Sequence, residues 1–390
     1  MRCDNRIHQE NVVKPSKYEV VNSSLSPKFY FFALIFAVIC FQQCNSQKIK
    51  SNVITFKNND PILHKWEQVF SKSEVIPLRF NDNTMEIFRL GSMVMNSRNE
   101  IFILDGKNKN GILYFDSTGK FIKYIGHSGE GPGEYLLATA LFMDRDDNFY
   151  IQDIAKSSIL KFGNQGYLFE KMFRIKNPGN KILIDSSGNM FFYQLNSDSG
   201  YLFFKYAPDG KLIKSAIKPE NQNQRLFISR FNLGGIVDTH EDGILGLFPA
   251  EYKIYVFDYK LNVKKILAAN SSTYFQPQMD SFPNDLSPYG FSREHSKWWG
   301  KQLRPASIYY LGNKLFMVVL AKFVNMSVTF YVNIHDLDGN TYAEGLSIPY
   351  NGIIKYAQNG YIYILEDSGI NEKGEITPLK LHRFKILIKK

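Results

Sequence analysis

The sequence predicts an all-β fold, a β-propeller of six four-stranded antiparallel blades, and three observations carry that reading. Aromatic residues make up 15% of the 390 residues, with 32 Phe and 23 Tyr. Flat rings pack well on a pleated surface, so this enrichment favours strands over helices. One strand-and-turn unit recurs along most of the chain. Its spacing is that of a propeller blade.

The clearest copy of the unit runs from Asn99 to Gly126, NEIFILDGKNKNGILYFDSTGKFIKYIG. Strands are expected at Ile101–Leu104, Ile112–Phe115 and Phe121–Ile125, separated by turn-rich segments. The turn Asp116-Ser117-Thr118-Gly119 suits a hairpin, because Gly tolerates positive φ. Further copies start at Asn148, Asn189, Gly243, Asn313 and Gly360, giving intervals of 49, 41, 54, 70 and 47 residues. A single antiparallel blade cannot bury both faces, whereas blades stacked radially cover one another and closure of the ring hides the last edges. Closure calls for a strand from one terminus to join the sheet of the other. Val75–Phe80 is the candidate, paired with the blade ending in His382–Ile388. Two β-sandwiches or a seven-bladed ring are the competing architectures, but sandwiches leave the recurring Asp-x-x-Gly turn unexplained.

The N-terminus reads as an export signal. Thirteen apolar residues, Phe29 to Phe41, follow Lys28 and give way to Gln42-Gln43-Cys44. That run is shorter than the roughly 18–20 residues a membrane-spanning helix needs, and its flanks are those of a signal peptide. The three cysteines are Cys3, Cys40 and Cys44, so the rest of the chain can form neither a disulfide nor a Cys-only metal site. The expected organisation is a signal peptide over 1–43, a tether over 44–72 and a propeller over 73–390.

The formal charge is +10, and it is still +8 without the five basic and three acidic residues of 1–43. The charges are scattered singly, as on a solvated surface, with no basic run of the kind nucleic acid requires.

Ile125 to Tyr135 reads IGHSGEGPGEY. With the strand pattern before it, this resembles NHL-repeat propellers, and more closely the six-bladed β-propeller family of Bacteroidetes lipoproteins, whose fold-back loop has the form G-x-x-G-x-G-P-G-E-Y. Gly126, Gly129, Gly131, Pro132, Gly133, Glu134 and Tyr135 match that loop position by position. The likeness covers Ser73 to Lys390 and is strongest over Val75–Asp153. It implies fold and compartment. Cys44 stands where such lipoproteins carry their acyl chains, implying a membrane anchor at the cell envelope. Gln43 departs from the small residue usual before that cysteine.

Two stretches are candidates for holding a ligand or partner. In the loop, Glu130 and Glu134 can bind a cation or a sugar hydroxyl. Alternatively, Glu134 accepts backbone N–H bonds while Tyr135 packs between blades. The long interval places an insertion at about 268–305, where Pro residues discourage regular structure up to a short helix at Arg293–Leu303. Its Tyr289, Arg293, His295, Trp298 and Trp299 can stack on and hydrogen-bond a sugar or peptide, or can form a cap over the ring face.

Chemistry is less legible. His127, His240, His295, His335 and His382 are scattered, and no nucleophile elbow is present. Asp105, Asp153 and Glu366 end corresponding strands. They either converge or close hairpins. Two functions follow. One is an envelope-attached binding protein for a glycan, peptide or protein partner. The other is a propeller enzyme, lactonase- or lyase-like towards carbohydrate or lactone, with Ca²⁺ or Zn²⁺ in the central channel. No further cofactor is expected.

Overall fold

The computed structural model describes residues 52–80, 90–105, 111–175, 181–194, 199–231, 234–239, 243–269, 279–283, 292–324, 327–350, 352–366 and 379–388. The signal segment, Cys44, His240 and Tyr289 lie outside them. The described chain begins with three short strands, β1 (Asn52–Thr55), β2 (Lys57–Leu63) and β3 (Glu74–Pro77), with a one-turn helix α1 (Trp66–Val69) between the last two. Six sheets follow. The first blade is β4–β7 (Leu90–Met95, Ile101–Asp105, Ile112–Phe115, Phe121–Ile125). The second is β8–β11 (Ala138–Met143, Phe149–Asp153, Ser158–Phe162, Phe169–Arg174). The third is β12–β15 (Lys181–Ile184, Met190–Tyr193, Phe203–Tyr206, Leu212–Ala216). The fourth is β16–β19 (Gly235–Asp238, Ile244–Phe248, Lys253–Phe257, Val263–Ala268), preceded by helix α2 (Gln222–Phe231). Helix α3 (Arg293–Lys301) leads into the fifth, β20–β23 (Leu303–Gly312, Leu315–Val324, Ser327–Asp336, Asn340–Ser347). The sixth holds β24 (Gly352–Gln358), β25 (Tyr361–Glu366) and β26 (Lys380–Lys385), and takes its outer strand from β3.

That last pairing closes the ring. β3 runs antiparallel to β26, with Val75 opposite His382, which is the closure the sequence called for. The innermost strands β4, β8, β12, β16, β20 and β24 touch in that order and return to β4. The ring is therefore complete.

Each repeat copy read from the sequence begins at a blade's second strand. The inner strands, such as ATALFM, KILI and GIVD, lack the Asp-turn signature. The turns themselves follow one rule. At Asn96, Asp116, Asp144, Asp185, Asp258 and Asp336 the side-chain Oδ1 accepts the backbone N–H two and four residues on. The residue three along has positive φ: Asn99, Gly119, Asp147, Gly188, Leu261 and Gly339. A short side chain thus replaces a missing backbone partner and fixes the turn. Gly119 also has to be Gly for space, because a Cβ there would meet the Pro77 carbonyl of the closing strand.

The tether expected over 44–72 does not hold beyond residue 51. β1 adds in parallel to β19, with Asn52 opposite Lys265, and β2 adds in parallel to β23. Between them Phe56 is buried and stacks on the His335 ring at 4.1 Å. Trp66 of α1 packs edge-on against Phe384 at 5.4 Å. The segment passes along the outer edges of the fourth, fifth and sixth blades, and it pairs edge strands that would otherwise invite another chain. In sequence it looked like a linker because its strands are short and carry Asn and Lys.

The core lies in the seams between blades. Phe102 of the first blade meets Phe149 and Tyr167 of the second at 5.3 and 4.9 Å. Comparable clusters fill the other seams.

Candidate functional site

Inner strands present one unpaired edge to the central channel, and its carbonyls need partners. Side chains from neighbouring blades supply them. Lys181 Nζ donates to the Gly234 carbonyl at 3.1 Å, and Lys355 Nζ to that of Gly91 at 3.1 Å. Tyr309 Oη donates to Ile354 O at 2.7 Å and Tyr356 Oη to Met95 O at 3.2 Å. Among the described residues, ammonium and phenol groups thus serve these inner-strand carbonyls. Burial pushes the Lys181 ammonium down to about 8. Nearby at the start of β20, burial also pushes the Arg304 guanidinium down to about 9, so that it stays charged at neutral pH. Arg304 lies over the Trp299 ring at 3.3 Å and donates from Nε to Ala321 O. These groups suit neither Ca²⁺ nor Zn²⁺, which need carboxylate, imidazole or thiolate ligands. Among the described residues no three His, Cys, Asp or Glu side chains come together to hold a metal.

The loop between β7 and β8 and helices α2 and α3 lie on one face of the ring, where the fourth strand of a blade leads into the first of the next. Glu134 folds back into its own loop. Its carboxylate accepts the Gly131 N–H at 2.7 Å and lies 2.6 Å from His127 Nε2. The Gly131 bond foremost, with His127 beside it, lowers its pKa below the usual carboxylate value. Gly129 N–H donates to Tyr135 O, and Tyr135 N–H to His127 O, both at 3.1 Å. Gly126 and Gly133 have positive φ, and a Cβ on Gly133 would crowd Phe169. Pro132 and Glu130 face solvent. Tyr135 is buried in the seam between the first two blades. Of the two readings of Glu134 and Tyr135, the structural one matches this geometry.

The described aromatic residues of the insertion pack inward. Trp298 is buried, donates from its indole to Ser281 Oγ at 3.0 Å and packs edge-on against Phe282 at 4.9 Å. Phe227 of α2 meets Trp298 and Trp299, both at 5.8 Å. His295 is fully buried and caps its own helix through Ser292. Amphipathic spacing on α3 turns His295 and Trp298 inward and leaves Arg293 exposed. Of the four described candidates on this insertion, only Arg293 is exposed.

Asp105, Asp153 and Glu366 do not converge. Glu366 bonds His382 Nε2 at 2.9 Å, and Asp105 is buried near Tyr135, whose phenol is pushed upward by burial and, less, by this carboxylate. Asp153 is fully buried and accepts four backbone N–H groups, from Leu136, Leu137, Ala155 and Lys156, at 2.8 to 3.2 Å. The Leu137 carbonyl accepts the Ile154 N–H at 3.1 Å. Held this way, Leu136, Leu137 and Ile154 stand in solvent at 46%, 51% and 37% exposure. Sequence reading passed over this trio. Its one signal is two consecutive leucines straight after the loop tyrosine.

A family model described as a 6-bladed beta-propeller matches residues 42–284. The chain belongs to this six-bladed β-propeller family. No curated protein matches it. Among solved structures the propeller is similar to a protein of Bacteroides fragilis NCTC 9343 inferred to be exported. Identity is 17% and the TM-score 0.62, over 87% of this chain and all of that one. It also aligns with a protein of unknown function from Bacteroides caccae (11%, TM-score 0.43, 67% of this chain and 82% of that). A third match is virginiamycin B lyase of Staphylococcus aureus (10%, TM-score 0.43, 81% and 100%). These likenesses concern the fold alone. Among the described residues no helix is long and apolar enough to cross a membrane.

Proposed function

We propose that this propeller is an exported binding protein, held at the cell envelope through Cys44, that docks a peptide or envelope protein on its loop face. The observation that carries the reading is the trio Leu136, Leu137 and Ile154. A buried carboxylate that accepts four backbone N–H groups makes this segment rigid. What it holds rigid is exposed aliphatic surface. Clustered apolar side chains fixed in water favour a partner that covers them. Pre-organisation lowers the ordering cost of binding. Peptide and protein surfaces offer the complementary apolar groups, which a glycan offers only on its ring faces.

The enzyme reading, cleavage of carbohydrate or lactone around a channel metal, has less support, because the channel offers ammonium and phenol donors. Export is supported by the signal-like N-terminus and by the similarity to the Bacteroides fragilis protein. The test is photo-crosslinking from position 137 in intact cells, set against position 168, where Leu168 is exposed in a hairpin on the opposite face.

A further inference from the structure

The face opposite the loop carries a second feature. Pleating places Tyr356, Gln358, Tyr361, Tyr363 and Arg383 on the one side of the sixth blade that faces the first. Most of that seam is filled by apolar residues such as Met95, Ile101 and Leu381. At its turn-side end the filling stops, and a cavity of about 260 Å³ opens. Gln358, Asn359, Tyr361, Tyr363 and Arg383 line it from the sixth blade, and Asn99 lines it from the first. Asn99 and Asn359 sit at the tips of the first hairpin in each blade with φ of 60° and 51°.

We infer that this cavity binds a single neutral hexose unit of a glycan. Three carboxamides and two phenols line it; Gln358 Oε1 already accepts the Tyr356 O–H at 3.1 Å, and the other groups can both donate and accept, the pattern that paired sugar hydroxyls satisfy. Tyrosine adds a flat apolar body for the C–H face of the ring. The one charged group is already engaged. Arg383 donates from Nε to Glu74 Oε2 at 3.0 Å and bonds the same carboxylate through its terminal nitrogen. Its guanidinium also lies over the Tyr361 ring, 5.2 Å from the centre. With its charge balanced by Glu74, Arg383 gives an anionic sugar no net advantage over a neutral one. The volume falls below the roughly 300–1,000 Å³ of pockets for drug-sized ligands, which fits one ring better than an oligomer. The site is remote from Leu136 and Leu137, so it stands whether or not the loop face docks a partner.

Positive φ at both asparagines supplies a clean variant. Asn99→Gly with Asn359→Gly removes two carboxamides and leaves the backbone its left-handed conformation. Saturation-transfer NMR on the purified full chain, with glucose, galactose, mannose, N-acetylglucosamine and glucuronate as probes, reads binding directly. Thermal midpoints of chain and variant report folding. The expected result is transfer to at least one neutral sugar, and affinity for it about tenfold weaker in the double variant, as two lost hydrogen bonds imply. Tyr361→Phe, which keeps the ring, is expected to lose less. Absence of transfer to every neutral sugar, undiminished binding in a folded double variant, or a clear preference for glucuronate over glucose would each overturn the inference.

Discussion

Asp153 accepts the backbone N–H of Leu136 at 2.8 Å, and this bond ties the exit of the glycine-rich loop to the end of β9. The same carboxylate takes three more N–H groups, so the geometry of the loop face depends on one buried side chain. Asp153→Ala leaves those donors without their partner. Unfolding in urea should show a loss of about 3 kcal/mol or more, the cost of stripping bonds from a charged acceptor. Asp153→Asn keeps an acceptor oxygen and should lose less.

His335 sets an acid limit on stability. It is fully buried, bonded to Tyr252 Oη at 2.8 Å and Thr341 Oγ1 at 2.9 Å, and burial pushes it down to about 3, with Asp336 opposing weakly. The unfolded chain binds this proton near pH 6.5. Stability from neutral His335 is therefore full above about pH 6.5 and is lost as pH falls towards 3, by roughly 4–5 kcal/mol at most. Unfolding free energies measured across that range should fall with pH. His335→Gln should flatten that slope.

Trp298 separates a cap from a surface site. Trp298→Ala should cost about 3–5 kcal/mol, as for other large buried side chains. Lys297→Ala, one residue away on the exposed side, should stay within about 0.5 kcal/mol. Thermal melts of the two variants decide the matter, since a ligand-stacking tryptophan on the surface would leave stability almost unchanged.

Lys181 should be the lysine with the lowest pKa in the described channel. Reductive methylation with ¹³C-labelled formaldehyde should give one dimethyl-lysine resonance titrating near 8, against about 10.4 for solvated lysines. Lys181→Met should remove that resonance. Its depressed value means that the stability it contributes is full above the unfolded value and is lost as pH falls through 8.

Much of the ring is legible from residues alone. The Asp-x-x-Gly turns, their spacing and the closing strand are local or periodic signals, and the described residues have the turns and that strand where the pattern puts them. Asn52–Leu63 was not legible, because strand addition to a distant edge depends on register with β19 and β23 and leaves no local signature. The inner strands were hidden for a related reason. The candidate residues fared unevenly. Trp298 and His295 carry ligand-binding chemistry, but only three-dimensional packing against Phe282 and Phe227 shows that they face inward. The exposure of Leu136 and Leu137 follows from a carboxylate some seventeen residues away, a contact no pattern of spacing announces.

The most direct test of the account is site-specific photo-crosslinking from position 137 in intact cells, repeated with Leu136→Glu and Ile154→Glu in the same chain. A discrete adduct formed from position 137, absent from position 168 and lost with the two glutamates, is the predicted result. Equal labelling from positions 137 and 168, or an adduct that survives both glutamates in a folded chain, would contradict docking on the loop face.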